Sequence, residues 1–237
     1  MRVLFVQQDH VSPTGPVGEA FAEHGFAVEE FLVVPEHSFH DPRVDVDFPD
    51  PTTYDAIVPM GAPWSIYDHE TIGTWVHDEV AFLRRAIDHG VPVLGICFGG
   101  QALACALGGA VIPAERAEVG WTTLETERPD LVPAGPWFQW HGDRWVLPDG
   151  MHAFARTPVA EQAYVRGRSM GLQFHPELTP AMLDGWMRNG GDEHARALGL
   201  DPQELHDSTA REASAAEARA RDLVAVFLEQ VATQPRS

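Results

Sequence analysis

The sequence predicts an α/β protein with a mostly parallel central sheet, and three observations carry that reading. Short apolar runs alternate with helical segments over the first hundred residues, the pattern of strands joined by crossover helices. After Gly109 the pattern changes to a series of short β candidates separated by Gly, Pro and Asp turns, so an antiparallel section is expected to join the sheet. The 237 residues, 44% of them hydrophobic, can bury a substantial core without disulfide staples.

In chain order, residues 2–6 form an apolar run ending in turn residues, and residues 16–24 have helical spacing that Gly25 stops. Residues 27–34 are a second strand, residues 35–51 a loop rich in Pro, Asp and His, and residues 54–60 a third strand. Residues 74–89 are an amphipathic helix with Trp75, Val80, Phe82, Leu83, Ala86 and Ile87 on its buried side and Gly90 as its stop. The uncharged stretch 91–114 could span a bilayer by length alone. Pro92 and the glycines at 95, 99, 100, 108 and 109 argue against one long helix, at roughly 1 kcal/mol per interior Gly, and favour a buried strand, a tight turn and a short helix.

The β candidates that follow are residues 119–125, 138–140, 145–147, 153–156, 162–165 and 170–174. The C-terminus is helical. Asp201-Pro202-Gln203-Glu204 resembles a capped start, Thr209-Ala210-Arg211-Glu212 offers a second capping box, and Leu223, Val224, Phe227, Leu228 and Val231 form a stripe that would dock on the domain. Residues 1–237 are expected to be one domain, with 190–237 a helical extension.

Charge excludes several partners. All 16 basic residues are Arg, set against 35 acidic ones, and the formal charge is −19. Binding to nucleic acid or to an anionic membrane surface rests on neutralising negative charge, so neither fits this chain. Two cysteines are too few for a disulfide framework and point to a reducing, cytoplasmic location; the apolar run at residues 2–6 is too short for a signal-peptide core.

The chemistry is concentrated in Val93-Leu94-Gly95-Ile96-Cys97-Phe98-Gly99-Gly100-Gln101, a strand feeding a G-x-C-x-G turn and then a helix. This is the cysteine form of a nucleophile elbow: the glycines permit the sharp turn, and the helix start favours a thiolate. A buried packing cysteine is the plain alternative. A base is available in Gln173-Phe174-His175-Pro176-Glu177 at a strand end, where His175 would exchange the thiol proton and Glu177 would orient the imidazole. Gly61-Ala62-Pro63, after the third strand, could offer a backbone N–H that joins the N–H of Phe98 around an oxyanion. Cys105 lies about 12 Å along the same helix at 1.5 Å rise per residue, too far for a disulfide with Cys97, and is expected in the core. The His37-Ser38-Phe39-His40-Asp41 loop has no distant partner pair of metal-site spacing, so no metal is expected.

With Glu118-Val119-Gly120-Trp121 and Trp140-His141-Gly142-Asp143, these motifs resemble the class I (triad) glutamine amidotransferases, close to stand-alone relatives of the GMP synthase amidotransferase domain, in family order over residues 1–190. The resemblance implies a Rossmann-like, flavodoxin-like fold and hydrolysis of a γ-glutamyl amide through a thioester. Carried onto this chain, it makes Cys97, His175 and Glu177 catalytic, Ala62 and Phe98 the oxyanion donors, and Gly61, Gln101, Gly120, Trp121 and His141 substrate-binding. It implies no cofactor. One departure stands out: Ala62 replaces a usual glycine, which costs roughly 1 kcal/mol or more if that backbone has positive φ.

Two functions share this triad. One is a glutaminase that hands ammonia to a synthetase on another chain, since about sixty residues after Glu177 are too few for a synthetase domain. The other is a self-sufficient γ-glutamyl hydrolase or peptidase. An idle regulatory module that retains the fold is a third reading, and an α/β-hydrolase is disfavoured by the adjacency of His175 and Glu177. Whether residues 189–207 lie over the pocket is a question for the structure.

Overall fold

The computed structural model describes residues 1–235; the last two residues of the expected domain lie outside them. The elements run β1 (Arg2–Gln7), α1 (Gly15–Glu23), β2 (Ala27–Leu32), β3 (Ala56–Pro59), the short α2 (His69–Ile72), α3 (Val76–Asp88), β4 (Val93–Ile96) and α4 (Phe98–Ala106). They continue as β5 (Ala110–Thr122), β6 (Glu125–Thr126), β7 (Trp137–Val146), β8 (Ala153–Arg156), β9 (Glu161–Arg166), β10 (Ser169–Leu172), α5 (Pro180–Trp186), α6 (Asp192–Ala197) and α7 (Pro202–Val226).

Eight strands form one sheet in the order β2-β1-β3-β4-β10-β9-β8-β6. β1, β2, β3, β4 and β10 pair in parallel, and β9, β8 and β6 extend the sheet antiparallel. This is the expected α/β, flavodoxin-like arrangement. The parallel strands are apolar on both faces because both faces are covered. Val3, Phe5, Val58, Leu94 and Ile96 pack with α1 and α7, through Phe21, Leu223, Val224 and Phe227. Leu4, Val6, Ile57 and Val93 point the other way, towards Phe82 and Leu83 of α3 and Leu103 of α4. The C-terminal stripe is therefore part of the core, with only Leu228 among its five residues left half-buried.

Three expectations are corrected. Residues 119–125 are not a short strand of the main sheet: β5 runs 13 residues and pairs antiparallel with β7 in a separate two-stranded ribbon. The candidates 138–140 and 145–147 fall on one continuous strand, β7, which ends at Val146 and whose pairing with β5 shifts register between Pro113 and Glu118. Thr209 does not start a helix. It is buried inside α7, where its hydroxyl accepts from the indole N–H of Trp121, and a tertiary partner has replaced the cap.

Glu79 of α3 is fully buried, with one carboxyl oxygen 2.6 Å from the side-chain nitrogen of Gln8 that donates to it. Burial pushes its pKa up to about 8, and the Gln8 bond offsets only part of that rise. Unfolded, the group deprotonates near the ordinary 4.5. Between these values the folded chain holds a proton the unfolded chain has lost, so this group's contribution to stability falls as pH rises through the window. Glu79→Gln is expected to flatten that decline and to stabilise the fold by about 2–4 kcal/mol on the alkaline side. Urea denaturation on the two sides of the window checks this, and an unaltered pH slope contradicts it.

Candidate active site

The carboxyl ends of the parallel strands bring the chemistry-bearing residues to one edge of the sheet. Asp9 follows β1, Gly61 follows β3, Cys97 follows β4, and Gln173 and His175 follow β10. Open parallel sheets bind ligands at this edge, where the strand order reverses. Here the edge opens into a cavity of about 380 Å³ whose lining includes Cys97, His175, Gly61 and Gln101.

Cys97 sits in the turn between β4 and α4 with φ 50° and ψ −109°, the sole positive-φ residue other than glycine among those described. Such a conformation costs on the order of 1–3 kcal/mol and persists only where its surroundings fix it. Two backbone bonds do so, Cys97 N–H to Leu172 C=O at 2.8 Å and Gly99 N–H to Met60 C=O at 2.9 Å. Glycine is obligatory beneath the turn: a Cβ on Gly99 would lie 2.0 Å from the carbonyl oxygen of Pro59. The sulfur receives a weak bond from the Gln173 amide at 3.7 Å and lies 3.9 Å from the carbonyl of Trp140. Cys97 is also the N-cap of α4, whose first amides lack intrahelical partners and favour negative charge.

His175 and Glu177 are both buried, and His175 Nδ1 donates to Glu177 Oε1 at 2.8 Å. That bond leaves the other ring nitrogen, Nε2, without a hydrogen-bond partner. Burial by itself pulls the imidazole pKa down, but the Glu177 carboxylate and the Cys97 sulfur together outweigh it and hold His175 well above its ordinary value. These neighbours favour the protonated imidazole beside the Cys97 sulfur. Gly61 makes the approach possible, because a Cβ there would meet His175 Cε1 at 2.9 Å and Cys97 Cβ at 3.8 Å.

The remaining expected residues are placed as follows. Ala62 lines the cavity and has no positive φ, so the expected strain does not arise. Phe98 supplies the first amide of α4. Gln101 is buried, its nitrogen donating to Gln173 Oε1 at 3.3 Å and to the Asp143 carbonyl at 3.4 Å. His141 lines the cavity, with Nδ1 donating to the Asp143 carbonyl at 2.9 Å and Nε2 3.2 Å from Glu118. Asp143 accepts from Ser65 at 2.5 Å and from Tyr67 at 2.6 Å, tying the β3 loop to the ribbon. Gly120 and Trp121 are not brought to the cavity. Gly120, at φ 105°, faces Leu205, and Trp121 packs edge-on against Phe138.

The cavity wall also contains residues that no motif marked, namely Asp9, Ser12, Trp186, the 189–191 kink and His194, and Phe39 from the loop weighed only for metal binding. Part of the 189–207 segment therefore lies against the pocket. The available signal was position alone, since Asp9 follows the first parallel strand. Among the described residues no group of three or more His, Cys, Asp and Glu is placed to hold a metal ion, and no helix is long and apolar enough to cross a membrane.

Cys97, at positive φ at the start of α4, thus shares one cavity with His175, whose ring is held by the buried Glu177. The family model for glutamine amidotransferase class-I matches residues 30–189, and the chain belongs to that family. The GMP synthase [glutamine-hydrolyzing] of Thermomicrobium roseum is 38% identical over 137 residues, 54% of this chain and 24% of that protein. The corresponding protein of Thiobacillus denitrificans is 37% identical over 157 residues, 59% of this chain and 29% of its own length. The chain thus spans about a quarter of the length of these curated relatives. A glutamine amidotransferase of Thermotoga maritima shares the fold at a TM-score of 0.81 and 24% identity, over 97% of this chain and 99% of that one.

Two measurements probe this geometry. Glu177→Gln removes the main cause of the raised His175 pKa, so its titration midpoint, followed by NMR of the ring carbons, is expected to fall by about one pH unit or more. An unmoved midpoint excludes the pairing. Cys105, half-buried and raised to about 11 by burial, is expected to resist iodoacetamide near neutral pH while Cys97 reacts. Equal labelling of the two thiols in the folded protein contradicts an activated Cys97.

Proposed function

We propose that this protein is a cysteine-dependent amidohydrolase of γ-glutamyl amides, with glutamine as the simplest substrate. The observation that carries the reading is the convergence of Cys97, at the α4 start, with the His175–Glu177 pair in one cavity. The Cys97 thiolate attacks the γ-carbonyl carbon, and the backbone N–H groups of Ala62 and Phe98 bind the oxygen that becomes negative. The C–N bond breaks as His175 protonates the departing nitrogen, leaving a glutamyl thioester. Water, deprotonated by His175, then attacks the thioester, the C–S bond breaks, and glutamate leaves.

Gly61, Gln101 and His141 border the substrate. Gly120 and Trp121 support the ribbon from behind, by their packing on Leu205 and Thr209. No cofactor enters these steps. The likeness to proteins named GMP synthase [glutamine-hydrolyzing] supports glutamine as a substrate and a synthetase as the taker of its ammonia.

Ammonia and glutamate release from L-glutamine is the direct test. Cys97→Ala is expected to lower turnover at least about a thousandfold while leaving unfolding free energy within about 1 kcal/mol of the parent. Wild-type turnover in that variant would remove Cys97 from the mechanism.

A further inference from the structure

We propose that the wall beside His175 is a subsite for an uncharged aromatic amine, so that the preferred substrates are γ-glutamyl amides carrying an aryl or arylmethyl group on nitrogen. The inference rests on the amidohydrolase reading above and names its substrate class.

The general acid must touch the departing nitrogen, so any substituent on that nitrogen lies against whatever flanks the acid. What flanks His175 is aromatic. The Trp186 ring meets the His175 ring edge-on at 4.9 Å between centroids, Trp140 meets Trp186 at 5.9 Å and 88°, and His194 lies 6.2 Å from Trp140. Edge-to-face stacking at such separations is the favourable geometry for aromatic rings, and these walls offer it to a third ring.

The wall is fixed in advance. The indole N–H of Trp186 donates to Ser12 Oγ at 3.1 Å, and Ser12 Oγ donates to Asp9 Oδ2 at 3.1 Å. The other Asp9 oxygen accepts from the Val11 N–H at 2.8 Å. The polar atoms behind the wall are thereby engaged with one another, and what Trp186 presents to the cavity is ring. On the far side Gly191 lies so close that a Cβ there would meet the Trp140 ring at 3.2 Å, so a bare backbone closes the box.

Size and charge agree with this assignment. The cavity measures about 380 Å³, within the roughly 300–1,000 Å³ typical of small-molecule sites, and Trp140, Trp186 and His194 line it together with Cys97 and His175. Asp9 lies behind the Trp186 wall, reached through Ser12, and burial favours its neutral form, so a substituent at the wall meets rings before it meets a charge. The chemistry balances as an ordinary hydrolysis: the amide and one water give glutamate and the free amine, with the amine nitrogen taking its proton from His175.

The test compares kcat/KM for L-glutamine, N-benzyl-γ-glutamylamide and the γ-glutamyl amide of an aliphatic diamine in the wild type, Trp186→Ala and His194→Ala. The benzyl amide is expected to exceed glutamine by about tenfold or more, with the diamine amide below it. Trp186→Ala should cut the benzyl-to-glutamine ratio about tenfold, and His194→Ala by a smaller factor. The ratio is internal to each variant, so a general loss of activity does not mimic the effect. If Trp186→Ala fails to fold, exposed His194 carries the test. Glutamine or the diamine amide as the better substrate, or a ratio unmoved by the substitutions, overturns the subsite while leaving the amidohydrolase reading intact. No release from any of the three, together with an unlabelled Cys97 after exposure to a glutamine-mimicking electrophile, ends both.

Discussion

Backbone meets backbone beneath Cys97, and the site depends on that contact. Gly99 lies against the Pro59 carbonyl and Gly100 against that of Leu172, at separations that leave no volume for a side chain. The contact pins α4 between the ends of β3 and β10, and it is what holds Cys97 at an unfavourable φ. The strain, on the order of 1–3 kcal/mol, is met by the packing of the whole sheet, not by a ligand. The same pinning sets the distance from Cys97 to His175, because one thiol follows β4 and the imidazole follows the neighbouring β10.

Charge is arranged with the same economy. The molecule is strongly acidic, yet the group beside Cys97 is a histidine that burial alone would discharge. Glu177, itself without solvent exposure, reverses the outcome together with the Cys97 sulfur. Asp143 and Glu118 act at one remove: the first joins the β3 loop to the ribbon, and the second receives Thr157 and Gln162 while facing His141. The ribbon of β5 and β7 stands outside the main sheet, and through these bonds it nevertheless forms one side of the cavity.

The elbow and the strand-end histidine were legible because their information is local: glycines at fixed offsets, and a titratable residue directly after an apolar run. The parallel strands were legible for a related reason, since strands covered on both faces are continuously apolar. The ribbon was harder. Within residues 114–118 of β5, Glu115, Arg116 and Glu118 are charged, the first two of them exposed, and the register shift there breaks the alternation that marks a strand. Thr209 was misleading because its sequence satisfies a capping box while its hydroxyl serves a tryptophan distant in sequence. The aromatic wall had no local signature. Trp186 ends α5, and Asn189 and Gly190 then leave helical geometry, at φ −107° and φ 100°, in a kink that only the tertiary structure reveals.

The floor under Cys97 has one more consequence. Gly99 and Gly100 leave no volume for a side chain beneath the turn, so a group joined to the sulfur extends into the cavity that Cys97 lines. A graded series of thiol-reactive chains then works as a ruler: each added methylene advances towards the indoles, and the length at which reaction stalls measures the depth of the chamber from inside.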